Sequence, residues 1–438
     1  MSDIETALEE LRRLHPRKID LGLSRIERVL DALGRPQDRL PTSVHVAGTN
    51  GKGSTVALLR AMLEAAGARV HVYTSPHLVR FNERIVLASR EIDDAALIDV
   101  LNRVRDANAG RPLSFFEATT AAAFLAFSET EADYAIIEVG LGGRYDATNV
   151  FEPDVCAITP IDYDHAEFLG RELAGIAREK AGIIKPAVPV FAAPQQEAAD
   201  AVLDGQATKV GAPLHRWGRD FRAYRQQGRL VFETGTELLD LSLPALAGEH
   251  QILNAGLAVA VARRLGLSPD AISSGLERAV WPARMQPLRN GPLVDLAGEA
   301  GAEVWLDGGH NPHAAQALSA HMASLEARAP RPLILVMGIL ANKNAGAFLD
   351  YFQGLAAGLV AIDIADHASL SPDVLMELAD IRGLAAVAAD NLTDAMQKAV
   401  NMGEALSRHT AEQPTVPPRI LICGSLYLAG EVLAANVK

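Results

Sequence analysis

The stretch Val44–Thr55 reads VHVAGTNGKGST, and it decides the fold of the N-terminal half of this chain. Two valines separated by one residue predict a short strand over residues 43–47, because a half-buried strand alternates with a period of two. Three glycines end the strand, and a helical pattern of apolar residues begins at Thr55. The segment is therefore predicted to be a strand, a glycine loop and a helix start, with the loop formed by Gly48, Thr49, Asn50, Gly51, Lys52, Gly53 and Ser54.

This loop has the features of a phosphate-binding site. Its backbone N–H groups lie beside the positive end of a helix, and Lys52 adds a cation, so a bound triphosphate is favoured over a glycine turn with a solvated lysine. The loop is not a standard Walker A, since Gly48 and Gly51 are too close together and Gly53 follows Lys52. The hydroxyl that normally holds Mg²⁺ is thus missing from its usual place. Either Ser54 reaches the metal or other residues supply its ligands.

Composition limits the functions open to the chain. Its 438 residues favour two domains, and 49% hydrophobic with 22% charged residues is typical of a soluble globular protein. A net charge of −13 argues against general affinity for nucleic acid or anionic membranes. Cys156 and Cys423 are too few for a disulfide framework, the N-terminus lacks the apolar core of a secretory signal, and no apolar run reaches membrane-spanning length. We expect a cytoplasmic protein with no nucleic-acid or membrane partner.

Ser75 and Glu138 are each predicted to lie at the carboxyl end of a strand. These ends meet at the edge of an α/β sheet where ligands bind. A buried carboxylate costs several kcal/mol unless a cation pairs with it, and for Glu138 that cation would be Mg²⁺ beside the triphosphate. Ser75 alone would be a turn residue before Pro76, but its hydroxyl is a candidate for the missing metal ligand.

Asp162, Asp164 and His165 follow the next predicted strand, residues 155–158, and are expected at the same edge. A single histidine is more often a hydrogen-bonded structural residue than a ligand. Three polar groups at one strand end favour a metal or phosphate site instead. Further along, the pattern around Lys180 taken alone predicts a solvated helix residue.

The second half of the chain begins a new organisation. Short alternating segments from 219 to 243 predict a small antiparallel β-subdomain. Trp281–Pro287, with two prolines and few helix signals, is predicted to be a domain boundary, where Arg284 is placed to contact a phosphate. The strands predicted beyond it lie near 303–307, 333–339, 358–364, 385–389 and 419–423, and their alternation with helices indicates a mostly parallel sheet.

The predicted fold class is therefore α/β. Residues 1–284 are predicted to form a P-loop-type ATPase domain with a mostly parallel sheet and a small antiparallel β-subdomain, and residues 285–438 a Rossmann-like α/β domain. Asp307 and Ser425 each follow a strand of the second domain, at its ligand-binding edge. From the residues alone, a kinase, an ATP hydrolase and an ATP-driven ligase all stay open, because phosphoryl transfer mainly needs positioning and charge neutralisation.

Seven motifs, taken in order, resemble one family. Over almost its whole length the chain is similar to the folylpolyglutamate synthases and dihydrofolate synthases, relatives of the Mur peptidoglycan ligases. The motifs are GTNGKGS at 48–54, TSPHL at 74–78 with FNERI at 81–85, EVGLGGR at 138–144 with DATN at 146–149, Asp164-His165, EKAGIIK at 179–185, DGGHNP at 307–312 and GSLY at 424–427. The resemblance implies a Mur ligase central-type ATP-binding domain over 1–284 and a C-terminal glutamate ligase domain over 285–438.

The resemblance also implies a reaction. ATP phosphorylates a carboxylate, either of dihydropteroate or of the terminal glutamate on a reduced folate. The amino group of L-glutamate then attacks the acyl phosphate, giving an amide, ADP and phosphate. The implied cofactors are ATP and two Mg²⁺ ions, with Lys180 carbamylated so that it supports the second ion.

The implied residue roles fall into four groups. Catalysis would involve Lys52, His165, Lys180, Asp307 and His310. ATP would contact the glycine loop, Asn254, Arg284, Asp307 and His310, and the metal would contact Ser75, Glu138, His165 and Lys180. The acceptor and L-glutamate would contact Phe81, Arg84, Phe116, Thr119, Asp164 and Ser425.

We expect a monomer that uses both acceptors, and a monofunctional version of either activity is the alternative. A Mur-type cell-wall ligase would need a further N-terminal domain, whereas about 40 residues precede the phosphate strand. A non-catalytic nucleotide-binding regulator has no reason to keep Glu138, His165 and Lys180 together.

Overall fold

The computed structural model describes residues 3–13, 22–298, 300–408 and 416–437. The chain divides into two compact units. The first contains the chain up to Ala245 together with Gln251–Val280, and the second contains Leu246–His250 and the chain from Trp281 onward. Within the described ranges, no helix combines the length and apolar character needed to cross a membrane.

An eight-stranded sheet forms the centre of the first unit. Its strands are β1 (Thr42–Ala47), β2 (Val70–Tyr73), β3 (Ile85–Leu87), β4 (Arg90–Glu91), β5 (Tyr134–Glu138), β6 (Val155–Ile158), β7 (Val190–Ala192) and β8 (Leu214–Arg216). They lie in the order β4-β3-β2-β5-β1-β6-β7-β8. Only the β2–β3 and β3–β4 pairs are antiparallel, which confirms the predicted mostly parallel sheet. Parallel pairing brings the carboxyl ends of β2, β5, β1 and β6 to one edge.

Ten α-helices are described in this unit, and only the first residue of α9, His250, is assigned to the second unit. They are α1 (Asp3–Arg12), α2 (Ser24–Ala32), α3 (Lys52–Ala65), α4 (Asp94–Asn108), α5 (Phe115–Glu129), α6 (Ala166–Leu169), α7 (Leu173–Ala181), α8 (Glu197–Val210), α9 (His250–Arg264) and α10 (Pro269–Arg278). Short 3-10 helices occupy Pro36–Arg39 and Phe81–Arg84. One apolar core joins α2, α4 and α5, and another joins α7 and α8 to β6 and β7.

The predicted antiparallel β-subdomain is a three-stranded sheet in the order β11-β10-β9. Its strands are β9 (Phe221–Gln226), β10 (Arg229–Thr234) and β11 (Leu238–Leu241). Gln227 and Gly228 join β9 to β10, and both have positive φ, at 50° and 77°. A two-residue hairpin turn with positive φ at both positions matches the twist of the strands, so the glycine there is required by the turn.

The second unit has a six-stranded sheet in the order β12-β13-β17-β14-β15-β16. Its strands are β12 (Gln286–Leu288), β13 (Glu303–Leu306), β14 (Leu333–Met337), β15 (Ala356–Ile362), β16 (Ala385–Ala389) and β17 (Arg419–Cys423). Its helices are α11 (Pro292–Gly298), α12 (Pro312–Arg328), α13 (Ala345–Asp350), α14 (Pro372–Asp380), α15 (Leu392–Arg408) and α16 (Leu426–Ala435). All five predicted strands are present. The sequence did not predict β12, because Pro287 argued against a strand there. A proline is tolerated in an edge strand, and β12 pairs antiparallel with β13 at the edge of the sheet.

Candidate active site

The glycine loop joins β1 to α3 at the carboxyl edge of the first sheet. Gly51, with φ of 90°, is the N-cap of α3, which begins at Lys52. The loop is anchored to the segment after β6, because the N–H of Thr49 donates to the Pro160 carbonyl at 2.9 Å. Gly48 also needs to be glycine, since a Cβ there would overlap the Thr159 hydroxyl. The predicted order of strand, glycine loop and helix is confirmed, but the helix begins at Lys52 and not at Thr55, so Lys52, Gly53 and Ser54 belong to its first turn.

Two lysines converge on the carbonyl oxygen of Gly48. Lys180 Nζ donates to it at 2.8 Å and Lys52 Nζ at 3.1 Å. Lys180 is only 5% exposed, so the solvated position that the local pattern predicts is wrong. Burial, and then the charge of Lys52, lowers the pKa of Lys180 to about 7, against opposing effects of Asp164 and Asp146. The neutral form of this amine is therefore favoured more than in an exposed lysine.

The Lys180 side chain points into a small pocket because of how α7 packs. The backbone at Gly143 lies so close to Glu179 and Lys180 that a Cβ at 143 would meet both. The N–H of Arg144 donates to the Glu179 carbonyl at 2.7 Å. The residues lining the pocket are Gly48, Thr49, Lys52, Val139, Gly140, Leu141, Gly142, Asp164, His165, Leu169 and Lys180. Asp164 and His165 therefore line the same pocket as Lys52 and Lys180.

Ser75 and Glu138 also meet at this edge. Glu138 ends β5 opposite Val46 of β1, and its Oε2 accepts a 3.3 Å hydrogen bond from the N–H of Ser75. In the described ranges, no three His, Cys, Asp or Glu side chains come close enough to hold a metal ion by themselves. Mg²⁺ binds proteins through one or two carboxylates and completes its shell with phosphate oxygens and water. One carboxylate in contact with a serine, next to a phosphate loop, fits that requirement.

Four of the six residues predicted to contact the acceptor or L-glutamate lie near Tyr73, the last residue of β2. The Tyr73 hydroxyl lies 3.3 Å from Thr119 Oγ1, and the Tyr73 ring stacks on Phe116 with centroids 6.2 Å apart. Phe81 and Arg84 lie on the 3-10 helix before β3, with the guanidinium 5.1 Å from the Phe81 centroid. The Phe116 ring lies against Gly140, leaving no room for a Cβ. An aromatic wall therefore adjoins the loop that follows Glu138.

Asp307, Arg284 and His310 form a second polar cluster, within the second unit. Asp307 is buried, and its carboxylate accepts hydrogen bonds from the N–H groups of Met285 at 2.7 Å and Gly309 at 2.6 Å. Burial raises the pKa of Asp307, while Arg284 acts in the opposite direction. His310 Nδ1 lies 2.9 Å from the Gly308 carbonyl oxygen. A buried carboxylate such as Asp307 can orient an amine, and a half-buried guanidinium such as Arg284 can bind a phosphate.

Ser425 lies at the same sheet edge of the second unit. It is the N-cap of α16, its hydroxyl accepting from the N–H of Tyr427 at 3.0 Å, and it is 3% exposed. β17, which precedes it, lies between β13 and β14 in the sheet, although it follows both in the chain. Such a change in strand order opens a crevice where small ligands bind.

Two residues that support the site, Asp146 and Gln251, were not among the predicted site residues. Asp146 is buried, and its carboxylate accepts from the N–H of Leu141 at 2.8 Å and the Thr148 hydroxyl at 2.5 Å, so it holds the glycine-rich loop of the pocket. Gln251 is fully buried and bonds to Asn254, a predicted nucleotide contact that packs behind Gly51. The available signal for Gln251 was two amides at i and i+3 on an apolar helix.

Comparison with known proteins places this geometry in a family. The Mur ligase middle domain matches residues 46–262, and the dihydrofolate synthetase C-terminal domain matches residues 294–435. The folylpolyglutamate synthase of Lacticaseibacillus casei is 33% identical over 435 residues, covering 93% of this chain and 92% of its own.

Two solved structures are similar to this chain over almost its whole length. E. coli FolC in complex with DHPP and ADP has a TM-score of 0.84 at 30% identity, covering 98% of this chain and 97% of that one. The bifunctional folylpolyglutamate synthase/dihydrofolate synthase of Yersinia pestis, complexed with AMPPNP and Mn ion, also has a TM-score of 0.84 at 30% identity, with 99% and 98% covered. The chain belongs to the folylpolyglutamate synthase and dihydrofolate synthase family, ATP-dependent amide-forming ligases of the Mur ligase type.

Proposed function

We propose that this chain joins L-glutamate to dihydropteroate, as a dihydrofolate synthase, and to the terminal glutamate of reduced folates, as a folylpolyglutamate synthase. The observation that carries the proposal is the convergence of Lys52 and Lys180 on the Gly48 carbonyl, beside Ser75 and Glu138. Lys52 is a cation at a phosphate loop and can neutralise part of the charge of a triphosphate, and an aromatic wall next to the loop suits a planar pterin. The Y. pestis relative bears both activities in its name, and the L. casei relative is named a folylpolyglutamate synthase.

In this proposal the acceptor carboxylate and ATP meet at the edge of the first sheet. A carboxylate oxygen attacks the γ-phosphorus, the bond to ADP breaks, and an acyl phosphate forms. Lys52 stabilises the transferred charge, and Phe116 with Thr119, Phe81 and Arg84 orients the acceptor. Mg²⁺, held by Ser75, Glu138 and His165, would neutralise the phosphate oxygens. We propose two Mg²⁺ ions, the second supported by Lys180.

L-Glutamate completes the reaction. Its neutral amino group attacks the acyl carbon, the amide bond forms as the nitrogen releases a proton, and inorganic phosphate leaves with the C–O bond electrons. We assign Ser425 and Asp164 to substrate contacts, and Asn254, Arg284, Asp307 and His310 to nucleotide and active-site binding. The division into a nucleotide domain over 1–284 and a glutamate ligase domain over 285–438 belongs to the same proposal.

Lys180 is proposed to be carbamylated. A neutral amine adds to CO₂ and releases a proton, which converts a cation into a carboxylate able to support a metal ion. The surroundings of Lys180 favour the neutral amine that this reaction needs. Burial lowers the pKa of Lys180 to about 7, and the charge of Lys52 acts in the same direction. The same modification would remove the repulsion between the two lysines at Gly48.

The test is L-glutamate-dependent ADP release with Mg·ATP, run in parallel with 7,8-dihydropteroate, tetrahydrofolate and a UDP-muramoyl acceptor. Turnover with the first two confirms the bifunctional proposal, and turnover with one supports the monofunctional alternative. Stimulation by the UDP-muramoyl acceptor alone, or by no acceptor although nucleotide binds, would contradict it. We also propose that the protein is cytoplasmic, which cell fractionation checks, and monomeric, which light scattering checks.

A further inference from the structure

Gln251 is an unusual residue for its position. It lies in the first turn of α9, where its neighbours on the helix are mostly buried apolar residues, and it is 0% exposed. A buried amide needs hydrogen-bond partners, because leaving it unpaired costs more than a hydrogen bond gains. Its two partners lie in opposite directions: Asn254 one turn further along α9, and Ser54 in the first turn of α3.

The two hydrogen bonds run in one direction, from Asn254 through Gln251 to Ser54. Asn254 Nδ2 donates to Gln251 Oε1 at 2.9 Å, which leaves the Gln251 amide nitrogen facing Ser54. Gln251 Nε2 then donates to Ser54 Oγ at 3.3 Å. Because the serine oxygen accepts here, its own proton must point away from Gln251. Asn254 also lies against Gly51, so the relay runs along the back of the glycine loop.

We propose that Gln251 is a positioning residue that turns the Ser54 hydroxyl toward the bound triphosphate, with Asn254 fixing which end of the Gln251 amide faces Ser54. The inference rests on nucleotide binding at the glycine loop, which is part of the proposed function. It does not depend on the acceptor or on the amino acid. Gln251 would touch neither nucleotide nor metal and would act only through Ser54.

The experiment compares Gln251→Met, Gln251→Glu, Ser54→Ala and the double variant Ser54→Ala/Gln251→Met. Met keeps the length of the side chain but cannot donate, whereas Glu can only accept and draws the Ser54 proton inward. The readout is the Kd of Mg·ADP and of a non-hydrolysable Mg·ATP analogue by calorimetry, which needs no turnover. Gln397→Met is the control, since this exposed glutamine of α15 bonds only to Asn401 among described side chains.

We expect Gln251→Met to weaken binding of the ATP analogue about three- to tenfold, as the loss of one oriented hydrogen bond predicts. Gln251→Glu should weaken it more, because it also adds a negative charge behind the phosphates. In the Ser54→Ala background Gln251→Met should have no further effect, since no hydroxyl remains to be oriented. The KM for L-glutamate should not change.

Three outcomes would overturn the inference. The first is unchanged nucleotide affinity in both Gln251 variants. The second is an equal loss of affinity from Gln251→Met with and without Ser54, which would assign Gln251 a packing role between α9 and α3. The third is a wild-type protein that binds no nucleotide, and this result removes the proposed function as well. A wild type that binds nucleotide but lacks glutamate-dependent turnover contradicts the proposed function alone.

Discussion

Lys180 shows how a single side chain acquires chemistry from its surroundings. An amine on an exposed helix would be a solvated cation, but this one is enclosed by the loop over residues 140–143 and bonded to the Gly48 carbonyl. Lys52, a second cation on the same carbonyl, makes protonation of Lys180 still less favourable. A lysine with a lowered pKa beside a phosphate loop is a reactive group, and two predictions follow from this environment.

The first prediction concerns carbon dioxide. Enzyme freed of CO₂ at mildly acidic pH should show low activity, and adding bicarbonate should restore it, because the carbamate forms from the neutral amine. Lys180→Met should lose activity by about two orders of magnitude or more and should not respond to bicarbonate. Steady-state rates with and without bicarbonate, together with intact-protein mass spectrometry, check this. Equal rates in CO₂-free and bicarbonate buffer would rule carbamylation out as a requirement.

The second prediction concerns stability. The pKa of Lys180 is near 10.5 in the unfolded chain and about 7 in the folded protein. Between these values the unfolded state binds more protons, so this group makes stability rise as pH increases from 7 to 10.5. In CO₂-free buffer without nucleotide, Lys180→Met should therefore melt several degrees above wild type at pH 6.5, and the difference should shrink by pH 10. A difference independent of pH would contradict the lowered pKa.

At the scale of elements, the glycine loop and the first turns of α3 and α9 form one supporting structure. Gly51 has φ of 90° and packs against the Asn254 amide, while Gly67, after α3, has φ of 85° and no atom near the position of a Cβ. The two glycines therefore share a backbone conformation but differ in their surroundings. This difference provides a matched pair of substitutions.

Gly67→Ala should cost about 1–2 kcal/mol of stability from the left-handed backbone and leave nucleotide affinity unchanged. Gly51→Ala should carry the same cost and in addition displace Asn254, so we expect Mg·ADP to bind at least tenfold more weakly. Thermal unfolding and calorimetry measure the two effects separately. Equal nucleotide affinity in both variants would mean that the contact with Asn254 does not shape the loop.

The element scale also shows what sequence can and cannot predict. β1, the glycine loop and the five parallel strands of the second unit were predictable, because each is specified by local periodicity and glycine position. The burial of Lys180 was not, because it depends on a carbonyl at residue 48 and a glycine loop at 140–143, both distant in the chain. The family motif, rather than the helical pattern, singled out this lysine. The spacing of Gln251 and Asn254 could have drawn attention to this pair of amides, but the contact of Gln251 with Ser54 and the contacts of Asp146 required side-chain geometry.

At the scale of the whole molecule, the two units carry different polar sites. The first has the phosphate loop with its lysines, and the second has Asp307, Arg284, His310 and Ser425 at the edge of its own sheet. If Ser425 contacts L-glutamate, changes there should affect that substrate and leave nucleotide binding intact. Ser425 is also a helix N-cap, so its structural role must be separated from its proposed role in binding.

Ser371 provides that separation, since it caps α14 of the same unit through its hydroxyl. Ser371→Ala and Ser425→Ala should each lower stability by about 1 kcal/mol. Only Ser425→Ala should raise the KM for L-glutamate, by about tenfold, with the Kd of Mg·ADP unchanged. An unchanged KM for L-glutamate in Ser425→Ala would place the amino-acid site elsewhere.

The central claim is that the chain activates a carboxylate as an acyl phosphate before the amide forms. The most direct measurement uses an acceptor, dihydropteroate or tetrahydrofolate, whose reacting carboxylate carries ¹⁸O. Mass spectrometry of the inorganic phosphate released in the presence of L-glutamate then follows the label. Transfer of one ¹⁸O atom to phosphate for each amide formed is the predicted result. Amide formation with no ¹⁸O in the phosphate would contradict the account.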